Sequence, residues 1–193
     1  MKKRGTITIR IDFSQSNVSI INIDNIGLKP ENMERCVDII KRFAKGNTLF
    51  FGFYRTDGNN LTNQEWEKCE KEIPEFFQTH GIYKPLVETI GENIYSGYLT
   101  AGSLPLDDET YKIIPWIFHF YLETTLFCPK INWETFVQTY SNYMKNEIDN
   151  YIINDYSDFI FTYSDSGDFS IIFNPNLHDI NVVYQEILEI LSK

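Results

Sequence analysis

From Thr6 to Phe13 the chain alternates without interruption: Ile7, Ile9, Ile11 and Phe13 fall on one side of an extended strand, and Thr8, Arg10 and Asp12 on the other. A period of two cannot sit on a helix, so this segment must be a strand with one face on a core and one on solvent. Ser14 to Ser16 suit a turn, and Asn17 to Ile23 read as a second strand in which Val18 and Ile20 repeat the alternation. Pro30, whose fixed φ and missing N–H suit a first helical position, then opens a helix. Its stripe is Met33, Cys36, Val37, Ile40 and Phe43/Ala44, and Gly46 stops it.

The far end of the chain has the same grammar. Ser157 to Tyr163 and Asp168 to Phe173 read as strands around the turn Ser164-Asp165-Ser166-Gly167. Past Asn174-Pro175-Asn176 a closing helix carries Ile180, Val183, Tyr184, Ile187, Leu188 and Leu191 on one face, with His178 in its first turn. Both ends are therefore hairpin, proline-bearing loop and amphipathic helix. Residue identities do not repeat between them, so the sequence gives no case for an internal duplication.

Between these ends Thr48 to Arg55 reads as a largely buried strand that stops at Asp57-Gly58-Asn59-Asn60. Thr62 followed by Glu65 is a capping box opening a helix with Trp66, Cys69 and Ile73 inward, which Pro74 bends or breaks and Gly81 closes. Leu86 to Thr100 suit a hairpin about Gly91-Glu92-Asn93. Asp107, Asp108 and Glu109 complement the N-terminus of another helix, which Pro115 kinks or restarts. Asn132 caps a further helix with Trp133, Phe136, Val137, Tyr140, Met144 and Ile148 at helical spacing. The expected architecture is α+β: one globular domain over residues 1–193, with an antiparallel or mixed sheet packed by about five helices and a β-hairpin near each end. A length of 193 residues and a 42% hydrophobic share are enough to bury one core of that kind.

Charge is distributed as unevenly as the secondary structure is ordered. All five arginines, Arg4, Arg10, Arg35, Arg42 and Arg55, lie in the first 55 residues, where ten Lys and Arg face five Asp and Glu. From Thr56 onward seven lysines face 22 carboxylates, so +5 and −15 make the total of −10. Such a field repels polyanions, and direct nucleic-acid binding is not expected. It steers basic partners instead. The basic group Lys2, Lys3, Arg4, Lys41, Arg42 and Lys45 is explained by pairing with the protein's own acidic half. No apolar signal core follows Met1–Arg4, and the longest apolar run, Ile113 to Leu122, is far short of the roughly 20 residues that span a bilayer. A soluble, cytoplasmic protein without membrane attachment is expected.

Signatures of chemistry are weak. His80, His119 and His178 have no His or Cys at metal-ligand spacing. His119 reads as a core histidine. Cys36 and Cys69 fall on apolar helical stripes, and Cys128, before Pro129, is placed near a helix end of the wrong sign to lower a thiol pKa. A His119–Cys128 pocket would require the fold to bring the two together. Asp155, Asp158, Asp165 and Asp168 lack an EF-hand pattern, and the hairpin turn accounts for the last two. No cofactor, metal or catalytic residue is expected.

The pattern does offer tyrosine interleaved with carboxylate between Tyr140 and Phe173. Tyrosine supplies rigid contact area with a polar tip, and carboxylates complement Arg and Lys on a partner. The expected partner-binding residues are Tyr151, Asp155, Tyr156, Asp158, Asp165 and Asp168, with Glu65, Glu67 and Glu70 as a second patch. The expected function is inhibition of a basic protein by occlusion, as in an immunity protein covering the phosphate-binding cleft of a nuclease toxin. A nucleic-acid mimic of phage type uses the same physics, and a small hydrolase-type enzyme working through a His or carboxylate is the alternative from another class.

Overall fold

The computed structural model of the chain describes residues 6–15, 18–26, 30–46, 48–56, 75, 87–92, 97–120, 124–138, 157–164 and 166–193. Eight strands form one sheet: β1 (Thr8–Gln15), β2 (Val18–Asp24), β3 (Thr48–Thr56), β4 (Val87–Glu92), β5 (Gly97–Pro105), β6 (Thr124–Pro129), β7 (Ser157–Tyr163) and β8 (Phe169–Phe173). Their order across the sheet is β1-β2-β8-β7-β6-β3-β5-β4, and every pairing is antiparallel. Among the described residues three helices accompany them: α1 (Pro30–Phe43), α2 (Asp108–Phe120) and α3 (Ile180–Leu191). Glu75 and residues 133–138 are also helical.

The terminal hairpins lie side by side. β2 pairs with β8 about Ile21↔Ile171, so β1-β2-α1 and β7-β8-α3 form two like units joined at the middle of one half-sheet. The similarity invisible in residue identities is therefore present in the topology. Both helices cover the same sheet face. There Ile21, Ile23, Leu49, Phe51, Phe159, Phe161, Phe169, Ile171 and Phe173 meet Cys36, Ile39, Ile40, Ile114, Ile117, Phe118 and Ile187 in one buried cluster. Large fully buried side chains of this kind contribute roughly 1.5–3 kcal/mol each.

Alternation sends the other set of side chains to the opposite face. Val18, Phe50, Phe127 and Ile160 are buried there against Phe136, with Trp133 packed alongside. Phe50 meets Trp133 edge-on at 5.2 Å and Phe136 at 4.8 Å. Strands β2, β3, β6 and β7 are thus apolar on both faces, as strands covered by helices on both sides must be. The alternation expected of β2 through Val18 and Ile20 serves two cores: Ile21 and Ile23 enter the main one, and Val18 and Ile20 the second.

Local signals set most boundaries. Asp107 accepts from the Thr110 N–H at the start of α2, and Asn132 accepts from Thr135 N–H and, through its carbonyl, from Phe136 N–H. Gly46 ends the α1 segment with a left-handed φ of 103°. Helix α2 runs on through Pro115 rather than restarting.

Other expectations need correction. β1 continues to Gln15, taking in the first two residues of the turn expected at Ser14–Ser16. Gly91 and Glu92 are paired with Leu99 and Tyr98 inside the β4–β5 ladder and are not turn residues, and Asn93 lies outside the described residues. Strand β6 carries no signal of its own in the sequence, and Cys128 lies within it rather than near a helix end. His178 precedes the α3 cap, Asp179, and is not in the helix. The capping box at Thr62 and Glu65, and the residues Cys69 and His80, lie outside the described residues.

Candidate functional site

Two of the nine expected contact residues are described, and the fold separates them. Asp158 opens β7, half-exposed, with its Oδ1 3.0 Å from Lys130 Nζ. Asp168 stands beyond the other end of that strand, after the hairpin turn. The five residue steps from Asp158 to Tyr163 alone span roughly 17 Å. Asp168 accepts from the Asn25 N–H at 2.9 Å and from Ser166 Oγ at 2.7 Å, while its own N–H donates to Ser164 Oγ. Its carboxylate organises the β7–β8 turn and fastens it to the end of β2. Tyr151, Asp155, Tyr156, Asp165, Glu65, Glu67 and Glu70 lie outside the described residues.

The cysteines described are chemically quiet. Cys128 is 2% exposed on the core face, and burial pushes its thiol up to about 12. Burial also raises Cys36. A thiol needs a cation or helix N-terminus to become a nucleophile at neutral pH, and the apolar surroundings here act in the opposite sense. His119 lies in α2, with its side chain outside the described residues.

A concavity near the start of β7 is not among the sites expected from the sequence. An open cleft of about 440 Å³ lies between the C-terminal end of α1, the start of β7 and the start of α3. Phe43 and Phe159 line its apolar part, Leu177 and Val182 stand exposed at its rim, and Arg42, Lys45 and Glu186 supply charge. His178 belongs to this wall. Asn174 positions it: the Asn174 carbonyl accepts from both Leu177 N–H and His178 N–H, and the Asn174 side chain accepts from Asn176 N–H. The His178 ring packs 4.4 Å from Phe159 and 6.3 Å from Phe173. Desolvation lowers its pKa, with Asp158 opposing and Lys45 and Lys130 adding to the shift.

His178 Nε2 is buried and finds no hydrogen-bond partner among the described residues. A general base must reach the proton it takes, and this nitrogen is turned away from water. The cleft therefore offers an apolar floor and an exposed lysine, and among the described residues no nucleophile–base pair and no group of three or more metal-ligating side chains. The signal for it in the sequence is the turn Asn174-Pro175-Asn176 placed just before Leu177-His178, an apolar and an aromatic side chain on a loop between two packed elements.

A second cleft of about 370 Å³ lies across Lys45, lined by Thr48, Phe50, Pro129, Ile131 and Trp133. Trp133 Nε1 is buried there without a partner among the described residues. No helix among the described residues is long and apolar enough to cross a membrane. No protein-family model matches the chain, and neither a curated protein nor a solved structure does so.

Proposed function

We propose that this protein is an acidic binding protein that inhibits a basic partner, in the manner of an immunity protein that occludes the active site of a nuclease-type toxin. The observation that carries this reading is the charge balance. With 27 carboxylates against 17 Lys and Arg, at least ten acids have no cation of their own, even if every cation were paired. Several cations are visibly committed within the fold: Arg10 to Asp24, Arg42 to Glu186, Lys112 to Glu109, Lys130 to Asp158, and Lys41 over the Tyr111 ring at 5.0 Å. Arg42 in particular joins the basic N-terminal part to the acidic C-terminal half, the internal use expected for it.

The surplus is then a long-range field that accelerates encounter with a cationic surface and rejects polyanions. On this reading Tyr151, Asp155, Tyr156 and Asp165, with Glu65, Glu67 and Glu70, remain the proposed contacts. Asp158 contributes through its exposed side, and Asp168 serves the turn. The partner's lysines and arginines would meet carboxylates where they normally meet phosphates.

The test is an affinity capture from the cells of origin at low salt, followed by a salt gradient. A basic protein released at moderate or high salt in stoichiometric amount supports the reading and supplies the target. Its association rate should then fall steeply with salt and fall again on joint charge reversal at Asp155 and Asp158. Retention of no basic protein, or rates unmoved by salt, removes the proposal.

A further inference from the structure

Among the described strands the sheet ends at β1, and that edge is self-complementary. β1 pairs on one side with β2, in regular register from Thr8↔Asp24 to Asp12↔Ile20, and β1 is the terminal strand of the sheet order. The opposite terminal strand, β4, is interrupted by a register shift between Thr89 and Gly91, a common way of blunting an edge. β1 has its own irregularity only beyond Asp12. Ile7, Ile9 and Ile11 pack against the main core yet remain only partly buried, because no neighbour among the described residues continues the sheet over them.

We propose that this edge joins two copies of the chain, β1 to β1, antiparallel and centred on Ile11. Two copies related by a two-fold axis normal to the sheet keep their faces aligned, so opposed residues must have the same parity. That leaves few registers. Centred on Arg10, two guanidinium groups face each other; centred on Asp12, two carboxylates do. Like charges directly opposite are unfavourable. Centred on Ile11, Arg10 of each copy faces Asp12 of the other, twice, and Ile11 meets Ile11 on the core side.

Arg10 has room for this. Its Nε and Nη2 donate to Asp24 at 2.6 and 2.9 Å, and the remaining N–H groups of its fork have no hydrogen-bond partner among the described residues and could reach a second carboxylate. The side chain is 61% exposed, and Asp12 is exposed as well. Charged residues on a sheet edge ordinarily discourage pairing. Here the order Arg-x-Asp makes the Ile11-centred register the one in which both charges of each copy meet an opposite charge.

Sedimentation over a concentration series at low salt tests this. The wild-type chain should be a dimer, and Asp12→Arg, which opposes two cations at each end of the pair, should weaken association about tenfold or more. Arg10→Asp should do the same, and an equimolar mixture of the two variants should recover a heterodimer, since every opposed pair is again of opposite sign. Because Arg10→Asp also loses its Asp24 contact, circular dichroism checks that it folds. Independently of that variant, amide exchange across residues 8–12 of the wild type should slow as concentration rises. A wild-type chain that stays monomeric, or a dimer that survives Asp12→Arg unchanged, overturns the proposal.

Discussion

Arg42 and Glu186, 144 positions apart, hold each other in a two-point clasp: Nε to Oε2 at 2.9 Å and Nη2 to Oε1 at 2.6 Å. The contact ties α1 to α3 and so joins the two hairpin–helix units above the β2–β8 seam. The hydrogen bonds from Arg42 hold the Glu186 carboxyl below the usual range, and they raise the guanidinium pKa in turn.

Because Glu186 has a depressed folded pKa, the stabilisation from this pair is present above the ordinary glutamate pKa and is lost as pH falls through the folded one. A double-mutant cycle with Arg42→Ala and Glu186→Ala, followed by urea unfolding, should show a favourable coupling at neutral pH. The coupling should shrink in high salt, since Arg42 is exposed and Glu186 partly so. Additive single mutants at low salt would mean that the clasp does not couple the helices.

Phe51 and Gly102 face each other across the β3–β5 ladder, and the ring occupies the place of the missing side chain. A Cβ at Gly102 would lie 2.2 Å from Phe51 Cζ and 2.4 Å from Cε1. Phe51 is fully buried, so the ring has no solvent to swing into. Gly102→Ala should therefore destabilise the fold by about 1–3 kcal/mol, despite the gain in strand propensity. Combined with Phe51→Leu, the loss should be smaller than the sum of the two single losses, as denaturant midpoints would show. Full additivity would mean that the ring is not what excludes the methyl group.

How much of this is legible in the sequence depends on which signal each segment carries. The strands at both ends are readable because turn residues bracket them and β1 alternates, while β8 lies between Gly167 and Pro175. β6 is hidden: Thr124 to Pro129 comes directly after an apolar helix, and a strand buried on both faces has no period to separate it from one. Without β6, Cys128 is placed at a helix end instead of in the sheet. His178 is assigned to the helix in sequence because Asp179, which caps α3 by accepting from Asn181 and Val182 N–H, competes poorly with the run of turn formers before it. The turn before Leu177 and His178 marks one wall of the cleft, but the cleft as a whole is not readable, since it gathers Arg42, Phe159 and Leu177 from three distant segments.

Asp168 offers a clean separation of structural from binding roles. Its acceptors serve Asn25, which is held at a left-handed φ of 59°, and Ser166 in the turn. Asp168→Ala should cost about 1–2 kcal/mol in unfolding free energy through lost hydrogen bonds. It should leave the salt dependence of partner association as it was, apart from the small change in net charge. A large drop in association rate without loss of stability would instead make Asp168 a contact residue.

His178 gives the fold a pH dependence of predictable sign. Its neutral ring is packed against Phe159 and Phe173, and burial lowers its pKa below the ordinary 6.5. Asp158 favours the cation, whereas Lys45 and Lys130 disfavour it. As pH falls through 6.5 the unfolded chain takes up a proton that the folded chain refuses, so stability is lost from there down to the folded pKa and then levels off. His178→Phe keeps an aromatic ring in the slot and removes the titration. Urea midpoints measured between pH 8 and pH 5 should fall more steeply in the wild type than in the variant, with the two curves separating below about pH 6.5. The variant should also hold its own at pH 8, because it no longer buries a nitrogen that lacks a partner among the described residues. Parallel curves across that range would show that the His178 ring protonates as readily in the folded protein as in the unfolded chain.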